Sequence, residues 1–427
     1  MAVPREVDVA IVGAGTAGAA AARYFAERGA RVVAVERRAL DQAGARWVNG
    51  ITRTALAEAG LTLPAAAIVG GPHPFWLASR HGRVLVDRHD VVDVDMRALV
   101  AFLQAQAEDA GAALVGGVAV RGRDGRELIT DAGRIRARWI VDASGLVGAR
   151  LLAQPAVAHV HLCAAAQEVR AVRDRAGALA YCEALGIAPG EVLARVGLAG
   201  GFSVLNVRVS DDGERISILT GSIPALGFPS GKAILDQFVR DHPWVGDRIF
   251  GGAGAIPLRR PYDRLSGDGV ALIGDAGCQV FPAHGSGIGA GILAAKLLAD
   301  TLAAGGALRD YEVAWHRRWG GLFAAYDAVR RWNSELDDET LGAIMELGLI
   351  DGDIARAGLD QVLPPFTLAS LPPKARALRH APQLLPGLAK VAARIGAAQL
   401  MSALYPRNVR ALGAWSRGMA RLLGDRI

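Results

Sequence analysis

Cysteine is scarce in this 427-residue chain. Cys163, Cys182 and Cys278 make an odd number with no paired spacing, which argues against a disulfide framework or a structural zinc site and favours a reducing, cytoplasmic setting. No window of about 20 residues is both uncharged and apolar throughout, so no bilayer-spanning helix is expected. Met1 to Arg5 run directly into an apolar strand, leaving no room for a secretory leader. There is no internal repeat, no low-complexity segment and no interleaving of aromatic with basic residues, and nucleic acid is therefore not an expected partner.

What is present is an Ala/Gly-rich globular composition, with 53 glycines, 52% apolar residues and 21% charged residues. The length predicts one large two-part unit or two domains. The net charge of +6 is unevenly placed: from Lys374 onward there are ten Lys or Arg residues against Asp425 alone. Such a tail can lie on an anionic membrane or meet an acidic partner; a solvated helical face is the plainer reading. Nothing in the sequence sets an oligomeric state.

The first motif opens the chain. The apolar run Val7 to Val12 enters Gly13-Ala14-Gly15-Thr16-Ala17-Gly18, followed by the strong helix former Ala19 to Glu27. Gly13 permits a tight turn, Gly15 lets a pyrophosphate approach the backbone, and Gly18 lets the helix pack on the strand. Phosphates then sit on the helix N-terminus, where free N–H groups and the dipole favour anions. A second strand, Arg31 to Val35, ends at Glu36, with Arg37 beside it. An acid there accepts ribose hydroxyls and favours FAD or NAD over NADP.

A second motif lies far downstream. The run Val270 to Ile273 leads into Gly274-Asp275-Ala276-Gly277-Cys278, then Pro282, His284, Gly285, Ser286, Gly287 and Ile288, and a long Ala/Leu-rich helix follows to about Ala303. Here the chain resembles the FAD-binding group that contains p-hydroxybenzoate hydroxylase, geranylgeranyl reductases and flavin-dependent halogenases. The group's late motif, GDA with a following proline and two glycines, is matched by Asp275, Pro282, Gly285 and Gly287. The resemblance implies that Asp275 binds the ribityl chain and that the helix opening near Ser286 faces the flavin N1–C2 edge, where a helix dipole stabilises negative charge. It also implies FAD contacts for Arg97, in Val94-Asp95-Met96-Arg97, and a second fingerprint at Asp142-Ala143-Ser144-Gly145. A surface-helix arginine is the rival reading of Arg97.

The expected fold class is α/β: a Rossmann-type FAD-binding domain with an interleaved mixed or antiparallel sheet domain for substrate and a C-terminal helical region. The segments expected are 1–150 and 257–330 for FAD, 151–256 for the substrate sheet, and 331–427 for a helical cap. Val118 to Val141 reads as a meander, and Phe202 to Val209 with Arg215 to Ser222 as a hairpin. His159, His161 and Cys163 are expected on one face of a strand, more as packing or cavity wall than as metal ligands, and no metal is expected. Met401, Leu404, Leu412, Trp415, Met419 and Leu422 form an approximate helical stripe expected in the core.

The residues separate the branches of the group only partly. No lysine precedes Lys232 and the nearest tryptophan pair is Trp315 and Trp319, which departs from the halogenase pattern. Cys278 stands where aromatic hydroxylases usually carry histidine, and Gly201 to Asn206 keeps only an aromatic start of the reductase cavity segment. The leading expectation is an FAD enzyme acting on a hydrophobic small molecule by carbon–carbon double-bond reduction or dehydrogenation. A flavin monooxygenase of secondary metabolism and a non-redox FAD-containing cyclase or isomerase are the alternatives. NAD(P)H or a partner flavin reductase would supply electrons. His284 is the candidate proton donor, against a structural hydrogen bond; Cys278 is a candidate reactive thiol, against a small residue packed under the cofactor.

Overall fold

The computed structural model describes residues 3–365 and 371–425, and these form sheets of eight, seven and three strands with helices around them. Arg426 of the basic tail lies outside the described residues. The first sheet begins with β1 (Glu6–Val12), α1 (Thr16–Glu27) and β2 (Val32–Glu36), a right-handed strand–helix–strand unit in which the strands pair in parallel. Every residue of β2 is buried, as expected of a parallel strand covered on both faces. After α2 (Met96–Asp109) come β3 (Ala113–Gly116) on one side of β2 and β4 (Gly133–Asp142) on the other side of β1. The predicted meander is present: strands Val120–Asp124 and Glu127–Thr130 pair antiparallel before β4.

The last parallel strand of this sheet, Val270–Leu272, arrives only after a long excursion and pairs with β4. That excursion contains β5 (Leu162–Val172), β6 (Ser203–Val209), β7 (Arg215–Ser222) and β8 (Val245–Pro257). The β6–β7 hairpin forms as expected, and β5 lies between β7 and β8. The far edge of this seven-stranded sheet is taken from earlier in the chain: Val192–Val196 pairs in parallel with Phe75–Ala78, which pairs with Arg83–Val86. The seven-stranded sheet therefore draws on residues before 150 as well as on 151–256. His159 and His161 do not share a strand face with Cys163; they lie in a 3-10 turn that precedes β5.

Beyond the sheets run α3 (Ile288–Ala303), α4 (Leu308–Trp315) and α5 (Gly321–Glu335), the last two joined by a π-turn at His316–Gly320, and then α6 (Leu385–Ala403) and α7 (Val409–Leu423). α3 packs on α1 through small residues: a Cβ on Gly291 would lie 3.2 Å from the Ala17 Cβ. The expected C-terminal stripe is split by the turn containing Pro406. Leu412 and Met419 are buried, whereas Leu404 is 66% exposed.

Candidate active site

The cofactor cradle is built mainly from backbone. Gly13 adopts φ +96°, and a Cβ there would stand 2.6 Å from the Ala143 carbonyl oxygen, so the turn between β1 and α1 requires glycine. A Cβ on Gly18 would lie 1.9 Å from the Gly13 oxygen, which explains the close seating of α1 on its own turn. Gly15 is the N-cap of α1. No side chain caps this helix and no acid stands in its first turn, leaving its N–H groups free for an anion.

Glu36 ends β2 and is 7% exposed. Its Oε2 accepts the Ala14 N–H at 3.2 Å and its Oε1 accepts the Arg38 N–H at 3.1 Å, so the carboxylate is oriented beside the glycine turn. Thr16, Ala17 and Arg37 also contribute to the wall of this space.

Asp142, at the end of β4, has a different task from the contact expected of it. It is 1% exposed and outside the cavity wall. One oxygen accepts the Ser144 N–H at 3.1 Å and the Ser144 hydroxyl, and the other accepts the Leu151 N–H at 3.0 Å. Asp142 thus ties down the loop whose Ala143, Ser144 and Gly145 form the wall.

The late motif completes the cavity. Gly274 turns the chain at φ +63° and delivers Asp275, which has no hydrogen-bond or charged partner among the described residues. Burial alone pushes its pKa up. Gly285, at φ +78°, and Ser286 lead to Gly287, the uncapped start of α3, with Ile288 as its first residue. Gly274, Asp275, Gly285, Ser286, Gly287 and Ile288 join the early motif around one cavity of about 460 Å³.

Arg97, Gly18 and Pro282, like Asp142, lie outside this wall. Arg97 stands on the first turn of α2 with 48% of its side chain exposed, pairs with Asp95 at 3.4 Å and faces the Phe250 ring at 5.8 Å. In this structure Arg97 is held by these partners at the surface. Gly18 and Pro282 support the cradle from behind rather than facing the cavity.

Cys278 is fully buried at φ +53°, its thiol against the Tyr262 hydroxyl and its pKa pushed up to about 11, chiefly by burial. This corrects the reactive-thiol reading, because an inaccessible group that stays protonated near neutrality is a poor nucleophile. His284 also stays out of the wall. Its imidazole has an open face, but the surrounding protein lowers its pKa to about 4, and its ring centroid lies 5.0 Å from that of Phe281. It is therefore neutral near pH 7.

The structure adds wall residues that motif reading missed, notably Trp47, Asn49 and Ile256. The Trp47 ring lies over β8, where Cβ atoms on Gly252 and Gly254 would approach it to 3.0 and 3.5 Å. The glycines of β8 were the available signal, but the chain alone does not say which ring they admit. Among the described residues no group of three His, Cys, Asp or Glu side chains is placed to hold a metal.

The donor set suits a dinucleotide with a polyol linker. Free helix N–H groups would meet phosphates, Glu36 would meet ribose hydroxyls, and the partnerless Asp275 carboxylate would meet a hydroxylated chain. An early glycine cradle and a late Gly-Asp turn on one parallel sheet define an FAD-binding flavoprotein.

The comparisons with known proteins agree. Residues 6–65 match the FAD binding domain family FAD_binding_3. Digeranylgeranylglycerophospholipid reductase 2 of Methanopyrus kandleri is 26% identical over 386 residues, covering 80% of this chain and 90% of that protein. The Methanothrix thermoacetophila digeranylgeranylglycerophospholipid reductase is 25% identical over 79% of this chain and 90% of its own length. Among solved structures, a geranylgeranyl bacteriochlorophyll reductase-like protein from Thermoplasma acidophilum superposes with a TM-score of 0.71 at 17% identity, over 91% of this chain and 99% of that one. A mutant of the halogenase PltM in complex with FAD gives a TM-score of 0.62 at 14% identity, over 98% and 95% of the two chains. The chain is an FAD-dependent oxidoreductase, similar over about four-fifths of its length to digeranylgeranylglycerophospholipid reductases and similar in fold to a geranylgeranyl reductase-like protein and to FAD-dependent halogenases.

Proposed function

We propose that this enzyme reduces carbon–carbon double bonds in a hydrophobic, isoprenoid-type lipid. The observation that carries the reading is the likeness to digeranylgeranylglycerophospholipid reductases over about four-fifths of the chain and nine-tenths of those proteins. FAD supplies the hydride chemistry when bound. The chain's own part is placement. Glycine turns and Asp275 fix the cofactor, α3 directs its positive end at the cavity, and Trp47 and Ile256 offer an apolar wall that excludes water. NAD(P)H or a partner flavin reductase supplies electrons, and the basic C-terminal region gives the enzyme peripheral contact with the membrane that holds its substrate.

The test is anaerobic. FAD-loaded protein is reduced with NADH, NADPH or dithionite and mixed with a geranylgeranyl lipid. Reoxidation of the flavin with a gain of two hydrogens per reduced double bond in the lipid is expected. Gain of an oxygen atom on admitting air, or lipid conversion with no flavin turnover, would replace this reading with a monooxygenase or a non-redox enzyme respectively.

A further inference from the structure

The cofactor cradle lies at the C-terminal end of the parallel sheet, and a second concavity lies at the opposite end. It is a crevice of about 300 Å³ whose wall includes Arg126, Arg138, Arg264 and Arg309, against Asp268 as its acidic member. Arg138 stands four residues before Asp142 on β4, roughly 13 Å away at about 3.3 Å per residue, so the two concavities are separate.

The arginines are not equivalent. Arg309 is committed to Glu312, to the Tyr405 hydroxyl at 3.1 Å and to the Pro406 carbonyl. Arg264 spends one N–H on the Ser266 carbonyl at 2.9 Å, and its guanidinium lies over Gly267, where a Cβ would approach Nη2 to 2.1 Å. Arg138 lies 4.1 Å from the Trp139 ring centroid, and neither it nor Arg126 has an ion pair among the described residues. The nearby acids are Asp268, exposed in the crevice wall and 3.9 Å from Arg123, and Asp310, which accepts the Ala307 N–H at 2.9 Å. Leu308 and Val409, the first residues of α4 and α7, also line the crevice; both helix starts are capped, by Asp310 and by Asn408, so the positive potential there comes from the guanidinium groups. Three incompletely satisfied guanidiniums in one concavity suit a phosphate, which accepts several charge-assisted hydrogen bonds at once.

The rim indicates where that phosphate resides. Val409 belongs to the crevice and is 59% exposed, while Leu400 and Leu404, one helical turn apart at the end of α6, are 63% and 66% exposed. Arg407 and Arg410, both exposed, flank them. Exposed aliphatic side chains beside a basic crevice match the boundary between lipid headgroups and acyl chains.

We propose that this crevice binds the phosphate of an anionic phospholipid and docks the enzyme on a membrane surface, with Leu400, Leu404 and Val409 entering the interface. The proposal rests on the peripheral contact proposed above, gives it one location, and is independent of the reaction at the flavin.

The experiment is co-sedimentation of full-length, FAD-loaded protein with vesicles of phosphatidylcholine alone or mixed with phosphatidylglycerol, with and without inorganic phosphate. Arg138→Gln/Arg264→Gln is compared with Arg376→Gln/Arg379→Gln, an equal charge loss on the exposed face of the Leu371–His380 helix; flavin absorbance reports folding of each. Binding to the anionic vesicles alone is expected, with a loss of roughly 10- to 30-fold for the crevice pair, at about one kcal/mol per arginine, and much less for the other pair. Equal losses in both pairs, or loss only in the Arg376/Arg379 pair, would overturn the crevice while leaving peripheral contact standing. No binding of the wild type to anionic vesicles would overturn both. Binding of inorganic phosphate, read by Trp139 fluorescence, without vesicle binding would make this a site for a soluble phosphate and would also overturn the proposal.

Discussion

The dinucleotide unit and the C-terminal helices of this protein are ordered by opposite means. Around β1, α1, β2 and α3 the interior is apolar and small, and contacts are set by the absence of side chains, as where Gly18 meets the Gly13 oxygen. Around α5 and α7 the interior contains charge. Asp327 is fully buried and accepts from Arg330 at 2.8 Å and Arg331 at 2.9 Å; Arg331 also reaches Asp425 at 2.6 Å, and Arg330 contacts His161 Nδ1 at 2.9 Å. The first arrangement tolerates no added volume. The second tolerates no missing charge.

The sharpest way to break the first arrangement is to fill it. Gly18→Leu places a side chain where even a Cβ collides with backbone, and should cost more than about 4 kcal/mol, read as insoluble or flavin-free protein. Asp327→Ala addresses the second arrangement by leaving the buried Arg330 guanidinium without its carboxylate and Arg331 with Asp425 alone, for an expected loss of about 3–5 kcal/mol in chemical denaturation. Replacing Asp327, Arg330 and Arg331 together by apolar residues of similar size should recover much of that loss; no recovery would mean that the cluster is more than a charge balance.

A smaller effect separates binding from folding. Asp275→Ala should weaken FAD binding by about 1.5–3 kcal/mol, while the apoprotein keeps or gains stability because a half-buried, partnerless carboxylate has gone. Equal loss of FAD affinity and apoprotein stability would contradict the assignment of Asp275 to the cofactor.

The smallest effect is a pH dependence. Burial lowers the His316 pKa to about 3, and the ring stacks on Tyr405 at 4.2 Å. The unfolded chain therefore binds this proton first, and stability should fall as pH drops from about 6.5 toward 3, in the same direction as for His161 and His284. Asp327 and Asp425 are held below the usual carboxylate range by Arg331 and their other partners, against the opposing effect of burial. Their contribution is present above about pH 4 and is lost on further acidification. His316→Phe should flatten the upper part of this profile and leave the lower part.

The same contrast governs what could be read from the chain. The cradle was legible because its physics is local: strand, glycine turn, helix and acid lie within residues 7–36, and the late turn repeats that grammar at 270–288. The hairpin and the meander were legible for the same reason. The buried charge cluster was not, since Arg260 meets Asp327 across 67 residues and Arg331 meets Asp425 across 94. The surface partners of Arg97 were not legible, because a position before a helix does not determine where its side chain finds a partner. The sequence did not reveal that Phe75–Ala78 joins the second sheet, because an edge strand contributed from a distant segment leaves no periodic trace.

The account stands on FAD lying between the early glycine turn and Asp275. Titration of flavin-stripped protein with FAD, followed by tryptophan quenching and flavin absorbance, tests this most directly. Saturation at one FAD per chain, weakened in Asp275→Ala and absent in Gly13→Val, is the predicted result. A wild-type protein that neither quenches nor retains yellow colour after gel filtration would contradict it.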